Sequence, residues 1–234
     1  MSKKAVCLLS GGIDSCVTTF IAKNEGYKIF ALSFKYGQQH QKEIDCSKKI
    51  SECIKVKNHI IFDLNLKQIG GSSLVDDELD IPKNHKLKDI GTSIPSTYVP
   101  ARNTIFLSVA LAHAEVLDAD AIFIGATAQD YSGYPDCRPE YIDAFQKLVN
   151  IATKKTVEGK KIQIRAPVLY MNKAEIIKKG LELGACLENT WSCYSGKDLA
   201  CGKCESCLLR LKGFKDAGKK DPVKYSFYPD WYEL

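Results

Sequence analysis

Residues Leu8 to Ser15 read Leu-Leu-Ser-Gly-Gly-Ile-Asp-Ser, an apolar run passing straight into a small-residue turn before a stretch with helical character. A strand followed by glycines and then a helix is a βα unit, and in such units the turn and the free N–H groups of the helix start form a cradle for anions. The hydroxyls of Ser10 and Ser15 add donors, and Leu8, Leu9, Gly11, Gly12, Ile13, Cys16, Val17 and Thr18 complete the expected nucleotide-binding stretch. Asp14 would be repelled by bound phosphates unless a divalent cation stood between them, so it is expected to contact Mg²⁺. Neither common glycine fingerprint fits: no lysine follows Gly12 at the spacing of a Walker loop, and Gly11 and Gly12 are adjacent where a dinucleotide fold separates its glycines.

The pattern Ser-Gly-Gly-x-Asp-Ser after an N-terminal strand resembles the signature of the PP-loop ATP pyrophosphatase superfamily. That resemblance implies ATP cleaved between its α and β phosphates, the loop holding the departing pyrophosphate while a substrate oxygen takes the adenylyl group.

Along the chain, strands at 4–9, 28–34, 58–64, 120–125 and 162–166 alternate with helices at 15–25, 40–55, 102–117, 139–155 and 172–183. This order predicts an α/β protein, a Rossmann-like doubly wound parallel sheet. Residues 70–96 lose periodicity and carry glycines, aspartates and prolines, the composition of a lid or of a disordered segment, and a lid is the expected reading. The expected division is an ATP-binding α/β domain over 1–185 and a small metal-binding segment over 186–234. At 234 residues, with 45% hydrophobic and 26% charged residues, the chain can bury a single sizeable core. It shows no signal peptide and no apolar run long enough to cross a bilayer, so a cytoplasmic location is expected. The net charge of +5 suits anionic ligands without advertising stable nucleic-acid binding. The late basic residues, among them Lys154, Lys155 and Arg210 to Lys224, are expected to form a solvated face.

Ligands of open α/β sheets gather outside the carboxyl ends of the strands. Three polar clusters fall there: Tyr36-Gly-Gln-Gln-His40 with Glu43, Tyr98-Val-Pro-Ala-Arg-Asn103, and Asp130-Tyr-Ser-Gly-Tyr-Pro-Asp-Cys-Arg138.

Cys193, Cys201, Cys204 and Cys207 have the spacing C-x7-C-x2-C-x2-C. In a reducing compartment this reads as a metal site, with tetrahedral Zn²⁺ as first choice and an iron–sulfur cluster as competitor, although the C-x3-C-P continuation of ferredoxins is absent. Four thiolates leave no position for a reacting water, so such a zinc is structural. The other six cysteines lack metal spacing; Cys16, at a helix start, is the one expected to be acidified.

Taken together, these motifs resemble the 7-cyano-7-deazaguanine synthase family over nearly the whole chain. The resemblance implies conversion of 7-carboxy-7-deazaguanine, ammonia and ATP to a nitrile in queuosine precursor synthesis, with bound zinc and a homodimer. Relatives commonly carry a basic residue where this chain has Gln39. For such a reaction, Asp14, Arg102 and Arg138 are the expected catalytic groups, an arginine pairing with the substrate carboxylate or with developing phosphate charge. Asp130 or Asp136 would accept hydrogen bonds from guanine-like N–H groups while Tyr131 or Tyr134 stacks on the ring. Two other readings stand beside this one. A PP-loop tRNA thiolase would need Cys16 or Cys137 as nucleophile, and a zinc-ribbon nucleic-acid module would leave the Ser10–Ser15 loop unused.

Overall fold

A computed structural model describes residues 2–38, 41–76, 78–83, 90, 93–129, 134–196 and 198–233. Five strands, β1 (Lys4–Leu8), β2 (Lys28–Lys35), β3 (Asn58–Asp63), β4 (Ala121–Phe123) and β5 (Gln163–Arg165), form one parallel sheet in the order β3-β2-β1-β4-β5. Val6 lies opposite Phe30 on one side and Ile122 on the other, so β1 is central. The connecting helices are α1 (Ile13–Asn24), α2 (Lys42–Ile54), α3 (Arg102–Val116), α4 (Pro139–Ala152), α5 (Lys154–Val157), α6 (Lys173–Glu182) and α7 (Glu205–Asp216).

Alternation along the strands sends side chains to two cores. Val6, Leu8, Leu32, Phe34 and Ile122 meet Leu107 and Leu111 of α3 and Phe145 and Val149 of α4. On the opposite face, Leu9 and Ala31 meet Val17 of α1, Ile50 of α2, Ile176 and Ile177 of α6, and Phe214 of α7. The inner strands are apolar along most of their length, with lysines at the ends and Ser33 inside β2, because helices cover both faces, as the doubly wound prediction requires. Phe214 places α7 in the same core as the sheet, within the stretch expected as a separate metal segment.

Two expectations need correction. The helix expected over 139–155 breaks at Thr153, which adopts an extended backbone and accepts a hydrogen bond from Thr156 N to cap α5; a hydroxyl that can cap competes with helix continuation. The basic residues expected on a solvated face include two that are buried. Lys155 donates to Ala119 O at 2.7 Å and pairs with Asp118 at 2.9 Å, and Arg210 is 2% exposed beside Asp221. A buried charge is retained only where partners replace its water, and those partners are distant in sequence. Within 70–96, Ser72 to Val75 are buried, and Leu74 and Val75 join the α3 side of the core.

Candidate active site

The strand order reverses direction between β1 and β4, and the crevice at their carboxyl ends is the expected ligand position. A cavity of about 240 Å³ lies there. Leu8, Leu9, Ser10, Gly12, Ile13, Asp14 and Ser15 form one wall. Ser15 Oγ accepts from Ser10 N at 3.1 Å, lies 3.0 Å from Ser10 Oγ and donates to Gly12 O at 3.0 Å, which ties the turn into a loop. Gly12 caps α1 without any side-chain hydrogen bond, so the helix start has no side-chain cap, and its first residues, Ile13, Asp14 and Ser15, line the cavity.

Gly11 is not one of the lining residues. Its φ is +93°, and a Cβ there would sit 2.2 Å from Glu43 O. This position needs glycine for the close approach of the loop to α2. Cys16, Val17 and Thr18 also lie behind the loop in the core, fully buried. Gly125, at the end of β4, would bring a Cβ to 2.7 Å from Ser15 N, so this glycine lets β4 meet the start of α1.

Asp14 reaches across the cavity to Lys173 Nζ at 2.7 and 2.9 Å. Lys173 escaped the sequence reading because its partner lies 159 residues away. A local signal existed: Asn172 and Glu175 form a reciprocal capping box that starts α6 just after β5, and this sets Lys173 at the helix start on the ligand edge of the sheet.

On the far wall Arg102 donates to Tyr36 Oη at 3.4 Å, with its guanidinium over the rings of Tyr36 at 5.6 Å and Phe106 at 6.0 Å. Ala101 before it adopts a left-handed φ of +53°, a strained setting for a residue with a Cβ. Tyr134 lines the cavity, its hydroxyl 3.0 Å from Thr97 Oγ1. Glu43, also on the wall, has its carboxyl pushed up to about 7 by burial, against the opposing pull of Arg102. Burial likewise pushes the Tyr36 phenol up to about 12.

The remaining candidates divide. Asp136 is buried and accepts from Asn103 N at 3.0 Å, while Asn103 Nδ2 donates to Asp136 O and to Cys137 Sγ; this carboxylate holds the start of α3. Arg138 is exposed at the start of α4 and does not line the cavity. Asp130 and Tyr131 lie outside the described residues, as do Gln39 and His40. Cys16 is not acidified by its helix: a hydrogen bond with Cys186 and burial both drive its thiol upward. Burial likewise pushes Cys137 up to about 12, so neither cysteine is a ready nucleophile.

Cys193, Cys201, Cys204 and Cys207 bring their sulfurs within 4.8 Å of one another. Cys201 and Cys207 are 3.9 Å apart, close to the span of about 3.8 Å between ligands at tetrahedral angles on 2.3 Å zinc–sulfur bonds. Backbone N–H groups of Cys201 and Ser195 donate to Cys193 Sγ, and those of Lys203 and Cys204 to Cys201 Sγ. Such donors favour thiolates, and the spacing suits a single ion better than a cluster interposed between the sulfurs. This segment also forms part of the site: Trp191, Ser192, Tyr194, Ser206 and Arg210 line the cavity. Trp191 N donates to Gly11 O at 2.9 Å, pinning the loop from the other side.

A parallel sheet with a glycine turn and helix start at its switch point, opening into an aromatic and arginine-lined cavity, gives this chain the α/β architecture of the PP-loop kind. Residues 4–218 match the family described as "Queuosine biosynthesis protein QueC", and the chain belongs to that family. A protein of Saccharophagus degradans named 7-cyano-7-deazaguanine synthase is 53% identical over 227 residues, covering 96% of this chain and 99% of that one. One of the same name from Coxiella burnetii is also 53% identical, over 95% of this chain and 98% of that one. Among solved structures, NMN synthetase from Francisella tularensis matches 79% of this chain and 63% of that one, with 17% identity and a TM-score of 0.44.

Proposed function

We propose that this chain converts 7-carboxy-7-deazaguanine and ammonia to 7-cyano-7-deazaguanine at the expense of ATP, acting as a carbon–nitrogen ligase. Identity of about half along nearly the full length of relatives with that name supports the reading. The observation that carries it is a single cavity joining the Ser10–Ser15 cradle to Arg102, Tyr36 and Tyr134, which lets a nucleotide phosphate and a flat acid share one space.

A carboxylate resists nucleophiles until its oxygen becomes part of a leaving group. ATP supplies that activation, ammonia then displaces the activated oxygen to give an amide, and a second activation of the amide oxygen followed by elimination leaves the nitrile. Ser10, Ser15 and the α1 N–H groups would hold the pyrophosphate or phosphate that departs. Arg102 would pair with the substrate carboxylate, and Tyr134 would flank the ring. Mg²⁺, when bound at Asp14, would neutralise phosphate charge, and the Lys173 amine beside Asp14 would add a second positive charge at the same edge of the cavity. Asp130 or Asp136 reading the guanine-like edge, Tyr131 stacking, and Arg138 stabilising charge belong to the same proposal, as does zinc held by the four cysteines. A cytoplasmic homodimer using free ammonia completes it. Among the described residues no helix is long and apolar enough to cross a membrane.

Mass spectrometry of protein, 7-carboxy-7-deazaguanine, ammonium and MgATP tests the proposal. A nitrile with two AMP per product is expected. ADP in place of AMP would retain the substrate and overturn adenylylation, and absence of any deazapurine product would overturn the reading itself.

A further inference from the structure

Helix α7 lies against α6, and one residue at their contact bears on the cradle. A Cβ built on Gly213 would sit 2.3 Å from Lys173 Cγ, 2.8 Å from Lys173 Cβ and 3.1 Å from Ile177 Cδ1. The first two atoms belong to the stem of the lysine and not to its mobile tip. That stem is held at both ends: its backbone opens α6 behind the Asn172 cap, and its amine meets Asp14 at 2.7 Å. It cannot give way without moving the amine.

Nor is α7 free to retreat. Its cap is Cys204 and its first turn carries Cys207, both in the four-cysteine group. One turn before Gly213, Arg210 Nε and Nη2 donate to Asp221 at 2.7 and 3.0 Å, and Nη1 donates to Thr190 Oγ1 at 2.9 Å. One residue after Gly213, Phe214 is buried among α1, α2 and α6 side chains. The helix is thus fixed before and after the contact.

We infer that Gly213 is a positioning residue: by carrying no side chain it lets α7 close on α6 with the Lys173 stem between them, and so aims the lysine amine into the anion cradle. The C-terminal segment then shapes the nucleotide site through a contact behind the cavity wall as well as through the residues that line it. This inference rests on the nucleotide-site reading given above.

The contrast with ordinary helix energetics makes it testable. Alanine is the better helix former, so a glycine inside a helix that served no contact would be improved by Gly213→Ala. The expected result is the reverse: a lower melting temperature, and MgATP bound about tenfold or more weakly by calorimetry, the scale of losing one charge-assisted contact. Lys173→Gly removes both clashing atoms. In that background Gly213→Ala is expected to raise the melting temperature and to leave MgATP affinity where Lys173→Gly put it, the non-additivity of residues that act as a unit. Equal destabilisation in both backgrounds, or a Gly213→Ala protein with unchanged melting and MgATP affinity, would overturn the inference. If Gly213→Ala alone fails to fold, recovery of a folded double variant supports it and failure of the double variant refutes it. The melting comparison uses no nucleotide or deazapurine, so loss of the proposed reaction leaves this outcome readable on its own.

Discussion

Gly11 and Gly12 are neighbours in the chain but meet different surroundings. Gly11 combines φ of +93° with a carbonyl where its Cβ would go, so Gly11→Ala is expected to cost about 3 kcal/mol or more in denaturant unfolding. Gly12 has φ of −84° and its nearest outside atom at 3.5 Å; Gly12→Ala should cost about 1 kcal/mol or less. Glu43 offers a test by pH. Its folded pKa of about 7 lies above the ordinary 4.5, so between those values the folded state binds more protons than the unfolded one. Its stabilising share is therefore complete below pH 4.5 and is lost as pH rises through 7, by about 3 kcal/mol at most. Unfolding free energies of wild type and Glu43→Gln, measured from pH 4.5 to 8, should diverge by that slope; parallel curves would show that the carboxyl titrates normally. The sequence displays both glycines and Glu43, yet the carbonyl against Gly11 and the half-buried setting of Glu43 arise where α2 docks on the loop.

Elements were legible wherever a local signal set them. The buried strands and the glycine turn into α1 follow from apolar runs and local turn chemistry. The break at Thr153 was not, because a single threonine both tolerates a helix and caps one. Lys173 shows the same limit for function: the Asn172 capping box marks a helix start, but only the parallel sheet brings that start opposite Asp14. α7 is held by a buried ion pair whose partners, Arg210 and Asp221, are 2% and 6% exposed. Removing one side leaves the other charge buried and unpaired. Asp221→Ala is therefore expected to destabilise by about 3–5 kcal/mol, and to weaken MgATP binding because α7 backs Lys173. A variant that unfolds normally would mean that solvent reaches Arg210 readily.

The cavity belongs to the whole molecule, since its walls come from β1, α1, β2, α2, α3, the turn after β4, α6 and the segment from Trp191 to Arg210. Zinc removal should accordingly be felt at the nucleotide. Elemental analysis is expected to find one zinc per chain, and a strong chelator should lower the melting temperature by about 10 °C or more and weaken MgATP binding. Retained affinity in metal-free protein would confine the cysteine group to local folding. By itself the sequence determined the parallel α/β architecture, the glycine turn into α1 and the four-thiol group, because hydrophobic period, glycine-assisted turns and ligand spacing act over a few residues. Only the tertiary structure decided that Lys173 faces Asp14, that Asp136 serves Asn103, that Arg210 is buried and that the cysteine segment walls the cavity. Each of these is a pairing between distant stretches of chain, set by which faces the sheet brings together.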